Sequence, residues 1–268
     1  MIRDITIGQY YPAESVMHRL DPRVKLVGTL TFIISLFLHR SFLMYLVAAV
    51  FLTIVIKASK VPFRFMIKGL KAIMVLLLIT VVFNMFLTPG TPLIRIWKLT
   101  LTVEGVKQAA FMAIRLAFLI VGSSVMTLTT TPNHLTDGME KGLAPLNKLH
   151  VPVHEVSMIM SIALRFIPIL LEETDKIMKA QEARGADFDS GNLIQKAKSL
   201  VPLLVPLFIS AFRRANDLAM AMEARGYRGG EGRTKMKPLI YQKRDRMAYG
   251  VLLGYLAVMI LVGQFAPF

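Results

Sequence analysis

Five apolar runs limit what this chain can fold into. They cover residues 24–38, 42–56, 72–87, 104–128 and 247–265. A bilayer supplies no water to bond a bare backbone, so such runs are expected to cross it as helices, with every N–H bonded inside its own segment. Hydrophobic residues make up 54% of the 268 positions and charged residues only 18%, more apolar surface than a soluble domain hides. The formal charge of +15 would suggest nucleic acid on a soluble chain. Here the lysines and arginines lie between the apolar runs, where cytoplasmic loops carry them, so nucleic acid is set aside. The chain has no cysteine, which excludes disulfides, thiolate metal sites and a cysteine nucleophile.

Residues 1–23 read as a polar cytoplasmic leader with no cleavable signal, which leaves the first spanning helix as the insertion signal. Asp21 and Pro22 then open a helix, one as N-cap and the other at the first helical position. His39, Arg40 and Ser41 form a tight turn between the first two runs. Residues 57–71 carry Lys57, Lys60, Arg64, Lys68 and Lys71 without an acid. This basic loop puts the N-terminus inside the cell. Thr88 to Pro92 break the third run and begin an outer loop in which Trp97 is an interfacial anchor. Residues 24–130 therefore read as transmembrane helices 1–4. Arg115 lies within the fourth and is expected to face protein or snorkel to the outer surface.

From residue 131 the character changes. Two apolar runs, 156–171 and 200–212, are short for a span and carry Arg165, Pro168, Pro202 and Pro206. Residues 131–230 are read as a cytoplasmic or inner-leaflet subdomain. Residues 231–246 form a basic cytoplasmic loop, and 247–268 the last transmembrane helix. The fold class is an all-α integral membrane protein with about five or more transmembrane helices. For Arg165 the expected partner is Glu172 or Glu173, although a substrate pathway through Arg115 and Arg165 stays open.

One hexapeptide occurs twice in the 131–230 subdomain. Residues 180–185 read Ala-Gln-Glu-Ala-Arg-Gly, and residues 221–226 read Ala-Met-Glu-Ala-Arg-Gly. Ile177 and Ala180 lead to Arg184 at helical spacing, as Leu218, Ala221 and Met222 lead to Arg225. Gly185 and Gly226 follow as helix ends, because glycine takes the left-handed conformation at little cost. Each copy is an amphipathic helix, near 172–185 and 213–226, that stops just after an arginine. Ala183, Arg184, Gly185, Ala224, Arg225 and Gly226 are thus the candidate docking residues, on a supporting face of Ile177, Ala180, Leu218, Ala221 and Met222. The competing reading is two capped helices whose arginines bind lipid phosphates.

No other motif carries chemistry. The glycine-rich stretch from Gly226 to Arg233 lacks the lysine and hydroxyl residue of a phosphate loop, and no strand precedes it. His150 and His154 are spaced i, i+4, but Pro152 lies between them, so no metal is assigned. No catalytic cluster or cofactor site stands out. The first four runs hold no carboxylate beyond Glu104 at an edge, which weighs against a self-sufficient carrier.

His18-Arg19-Leu20-Asp21-Pro22-Arg23-Val24-Lys25-Leu26, four apolar runs and two Ala-Arg-Gly helices before a last span resemble the transmembrane (T) component of energy-coupling factor transporters. The resemblance covers nearly the whole chain. It implies a non-catalytic scaffold in a prokaryotic cell membrane, part of an importer for vitamins or metal ions. Helices ending at Arg184 and Arg225 would dock into grooves on two homologous cytoplasmic ATPases. The membrane helices would hold a separate substrate-binding S component. The alternatives are a stand-alone channel or carrier, and a membrane-embedded enzyme.

Overall fold

The computed structural model describes residues 10–38, 41–96, 99–186, 188, 192–230, 236 and 238–265. The expectations placed on His39, Arg40, Trp97, Glu231, Gly232, Arg233 and the first nine residues lie outside them. The protein is an all-α membrane protein. Its helices are α1 (Pro22–Leu38), α2 (Phe42–Ser59), α3 (Phe63–Leu87), α4 (Val103–Thr129), α5 (Pro132–Leu143), α6 (Val153–Glu182), α7 (Leu193–Ser199), α8 (Val201–Ala224) and α9 (Lys243–Phe265). Four of them meet the length and apolarity of a span among the described residues: Phe42–Ser59, Val103–Thr129, Val153–Glu182 and Lys243–Gln264. A fifth is α3, if its two halves, bent by 61° near residue 72, count as one. At 17 residues α1 has the minimum length of a crossing helix.

Two findings differ from the sequence reading. The stretch read as an outer loop contains an antiparallel hairpin, β1 (Pro92–Ile96) and β2 (Leu99–Thr102), with an irregularity between Pro92 and Ile94. It is tied back at both ends: Thr102 donates its hydroxyl to the Thr88 carbonyl at 2.8 Å, and Glu104 accepts the Thr91 N–H at 2.7 Å. The run 156–171, short by hydropathy, lies inside a continuous helix of 30 residues that passes through Pro168. Charges at Glu172, Glu173 and Asp175 end the apolar run without ending the helix.

Among the described residues the chain divides into two compact units, one built from residues 10–141 together with 239–265, the other from 142–238. In the first, α1, α2, α4 and α9 enclose a core of Phe32, Leu36, Met44, Tyr45, Ala48 and Leu52 on one side and Val121, Val125, Leu128, Tyr255 and Met259 on the other. Along α2 the core positions Ala48 and Leu52 alternate with Phe42, Leu46, Val50 and Ile54, which stay exposed at a spacing of four. An exposed apolar stripe on a helix of spanning length suits contact with acyl chains or with another membrane helix.

Several buried polar groups inside this unit find partners, while Thr130 Oγ1 and Arg244 Nε find none among the described residues. Arg115 is 8% exposed. Its Nε donates to the Tyr45 hydroxyl at 3.0 Å, and its guanidinium lies 5.1 Å from the centre of the Phe37 ring. Of the two expectations for Arg115, facing protein is the one realised.

The leader closes one end of the unit. Asp21 caps α1 by accepting the Arg23 N–H at 2.9 Å, as the Asp-Pro pair predicts. Arg23 also grips the Asp21 carboxylate with Nε at 3.0 Å and a terminal nitrogen at 2.8 Å, and its guanidinium stacks 3.8 Å from the Tyr241 ring centre. Burial alone would raise the Asp21 carboxyl. The Arg23 bonds outweigh it and hold the group below the ordinary carboxylate value. Asp245, only 2% exposed, accepts the Asp21 N–H at 2.9 Å and the Gln242 N–H at 2.7 Å. Lys25 donates to the Thr129 carbonyl at 2.8 Å and the His18 carbonyl at 3.3 Å. The start of α1, the end of α4 and the start of α9 are thus tied at one point.

His18 supports this knot from outside the helices. Its Nε2 must carry the proton, because it faces the Tyr11 carbonyl at 2.9 Å, which leaves Nδ1 to accept from the Ser15 hydroxyl at 2.7 Å. Burial first, and then the nearby Lys25 charge, lower the imidazole below its ordinary value despite the Tyr11 bond.

Two predictions follow from these contacts. Asp245→Ala strands two backbone donors and should cost about 2–4 kcal/mol of stability in detergent; a loss under about 0.5 kcal/mol, within the range of an ordinary surface change, would show that the tie is not structural. Below about pH 6.5 the unfolded chain takes up a proton at residue 18 that the folded chain resists. Stability should therefore fall as pH drops from 7 toward 5, and His18→Gln should flatten that fall. An unchanged pH slope in the variant would remove His18 from the account.

Candidate functional site

In the second unit α6 and α8 pack together. Glu173 accepts from the Ser210 hydroxyl at 2.9 Å and forms an ion pair with Arg214. Farther along α6, Gln181 donates to the Pro202 carbonyl at 3.3 Å, at the start of α8. The partner number falls on α8 as it rises on α6, so the helices run antiparallel. Ile162, Phe166 and Leu170 of α6 and Ala211, Leu218 and Met222 of α8 share an apolar recess of about 300 Å³. The ion pair corrects one expectation. Glu173 is engaged by Arg214, whereas Arg165 is exposed and makes no ion pair among the described residues.

Both Ala-Arg-Gly copies end their helices with the same bond pattern. In the first, Gly185 N–H donates to the Glu182 carbonyl at 2.9 Å and Ala186 N–H to the Gln181 carbonyl at 3.0 Å. In the second, Gly226 N–H donates to Glu223 at 2.8 Å and Tyr227 N–H to Met222 at 3.0 Å. This is a Schellman end, in which a left-handed residue turns the chain and caps the last carbonyls. Gly185 has φ +89° and Gly226 φ +70°. A Cβ at either would meet nothing within 4 Å. Backbone conformation, not crowding, is therefore what calls for glycine here.

The ends present their residues to the outside. Ala183, Arg184, Gly185, Ala224, Arg225 and Gly226 are all exposed. Ile177, Leu218 and Met222 are half-buried, and Ala180 and Ala221 are exposed. The face is therefore partly used, with Leu218 and Met222 committed to the recess between α6 and α8.

Arg184 stands eleven positions after Glu173, and Arg225 eleven after Arg214. The 41-residue offset of the hexapeptides thus also relates the two members of the ion pair. Equivalent positions of two antiparallel helices meet there, which is the contact a local two-fold relation gives. Each arginine lies about 16 Å along its helix from that contact, in opposite directions, so about 33 Å separate the two ends before the crossing angle is counted. The structure provides two matching, exposed helix ends, each carrying an arginine, on one antiparallel strut.

Sequence reasoning missed Ser210, Arg214 and the recess. The residues carried no direct signal, since 172–179 and 213–220 share no identical position at the 41-residue offset that relates Glu173 to Arg214. His150 has φ +59° and caps the 3₁₀ helix Ala144–Leu149, while His154 belongs to α6. The two share no helical face. The linker residues Asp187, Asp189, Ser190 and Gly191 lie outside the described residues; Asn192 beyond them opens α7, its N–H bonded to the Gln195 side chain at 3.0 Å.

The helix ends can be tested directly. Gly226→Ala should cost about 1–2 kcal/mol through the left-handed φ alone, and hydrogen exchange at Gly226 and Tyr227 should quicken. Unchanged protection at both amides would mean that another residue holds this turn.

Comparison with known proteins gives one consistent result. A family model described as Cobalt transport protein (CbiQ) matches residues 13–236. The chain is 59% identical over 264 residues, 97% of each chain, to a protein named Energy-coupling factor transporter transmembrane protein EcfT from Clostridium kluyveri. Proteins of the same name from Thermosediminibacter oceani and Bacillus subtilis are 53% identical over 264 residues and 48% identical over 246. Those alignments cover 98% of this chain and 99% of the first relative, and 91% and 93% for the second.

Proposed function

The chain belongs to the CbiQ/EcfT family of energy-coupling factor transporter transmembrane proteins, and from that premise we propose that it is the scaffold that passes the motion of two ATPases to a separate substrate-binding membrane subunit. The observation that carries this reading is the pair of matched helix ends at Arg184 and Arg225. Each is a docking plug for a groove on one of two homologous cytoplasmic ATPases. A guanidinium there forms a bidentate pair with a carboxylate in the socket, which fixes register as well as affinity. Two separate ends on one strut suit two similar partners.

The strut explains the relay. α6 and α8 are joined through Glu173, Ser210 and Arg214, so a change in the distance between the two sockets works against that contact. Pro168 and Pro206 interrupt the bonding of these helices near it and offer bending points. The ATP site lies on the partner subunits and the substrate site on the S component. Cargo of vitamin or metal-ion class is read by that S component rather than by this chain.

The orientation is an N-terminus in the cytoplasm of a prokaryotic cell, with the chain in the plasma membrane. In support, Lys57 in the last turn of α2, Lys60 just after it and Arg64 at the start of α3 have no acid among them, as the cytoplasmic ends of spanning helices do.

Arg184→Glu and Arg225→Glu should each weaken ATPase binding by about 2–5 kcal/mol, because each leaves a socket acid buried against a like charge. Together they should abolish uptake by the assembled transporter while the membrane part still folds. A complex that survives both changes would refute the plug reading.

A further inference from the structure

The first unit contains a second cavity, apart from the docking ends. It measures about 340 Å³, at the lower end of the range for ligand pockets. Phe32 of α1, Phe51 of α2, Val125 of α4 and Leu252 of α9 line its walls. Its rim includes Ile54 and Val251, exposed apolar residues on helices that meet the length of a span. The opening therefore faces acyl chains.

One end of the cavity is cationic. Lys25 in the first turn of α1 and Arg244 in the first turn of α9 both line it. Phe32 and Leu252 lie about 11–12 Å deeper along the same helices. The Lys25 ammonium spends two of its three donors on carbonyls. The Arg244 Nε is buried with no partner among the described residues. Neither cation has an acid to itself. Asp21 is held by Arg23, and both oxygens of Asp245 accept backbone N–H groups. A buried unpartnered donor of a charged group is costly, and the fixed acids nearby are already used.

We infer that this cavity is a binding site for one anionic phospholipid, with its phosphate on Arg244 and Lys25 and one acyl chain in the slot between α1, α2, α4 and α9. The charge pattern selects a net anionic headgroup. Lys25 and Arg244, the two cations that line the cavity, repel the ammonium of a zwitterionic lipid. The lipid fills an opening between helices and supplies the missing acceptor in one step, so it should add to the stability of this end of the unit.

The test is native mass spectrometry of the full-length chain in mild detergent, with added phosphatidylglycerol, phosphatidylcholine, diacylglycerol or inorganic phosphate. One phosphatidylglycerol should bind, at least about tenfold tighter than phosphatidylcholine, and neither diacylglycerol nor phosphate alone should hold the site. Arg244→Gln should cost phosphatidylglycerol about tenfold, and Arg246→Gln, off the cavity, should leave it unchanged. Ala248→Phe, which fills the slot, should reduce lipid binding. Equal binding of phosphatidylglycerol and phosphatidylcholine would overturn the inference, as would tight binding of phosphate alone or full retention in Arg244→Gln. Where a variant fails to fold, the comparison of the four ligands on the unmodified chain decides alone.

Discussion

The account rests on where α6 meets α8. Glu173 is the acceptor for both Ser210 and Arg214, and that contact sets the register of two long antiparallel helices. Arg184 and Arg225 gain meaning from it. Each is an exposed residue on a helix end, and an exposed arginine by itself says little. Two of them stand equally far from one fixed contact in opposite directions, and under the proposed function they act as two handles of one lever. A charge pair suits the task better than apolar packing would. A carboxylate shared between two donors resists sliding along the helix, whereas packed leucines tolerate a shift of register at modest cost.

The other unit obeys a different constraint. Its helices sit where water is scarce, so each polar side chain must find a partner inside. Arg115 finds the Tyr45 hydroxyl, Ser35 finds the Tyr255 hydroxyl at 2.7 Å, and Lys25 finds two carbonyls. The knot around Asp21 and Asp245 extends this rule to the membrane edge, where the leader covers the ends of three helices. Thr130 Oγ1 and Arg244 Nε are left over among the described residues, and the lipid inference addresses the second.

Local features were legible in the sequence. Asp21-Pro22 marked the start of α1, and the two Ala-Arg-Gly copies marked the ends of α6 and α8, because capping chemistry is written in adjacent residues. That α6 meets the length and apolarity of a span was hidden, because the apolar run stops at Leu171 while the helix continues through Lys176 and Lys179. The hairpin at 92–102 was hidden because its residues are short of turn signals. Pairings across long separations, such as Asp21 with Asp245 and Tyr45 with Arg115, leave no mark within a window of sequence. Glu173 with Arg214 is no exception. The 41-residue offset relates the two positions, but no identical residue marks them and the offset alone does not say that they touch.

The most direct measurement of the central claim is photo-crosslinking from positions 184 and 225 in the native membrane, followed by identification of the captured proteins. The account predicts that both positions capture nucleotide-binding subunits, and that the two are different but homologous. Capture of lipid alone, or of no ATPase from either position, would contradict it.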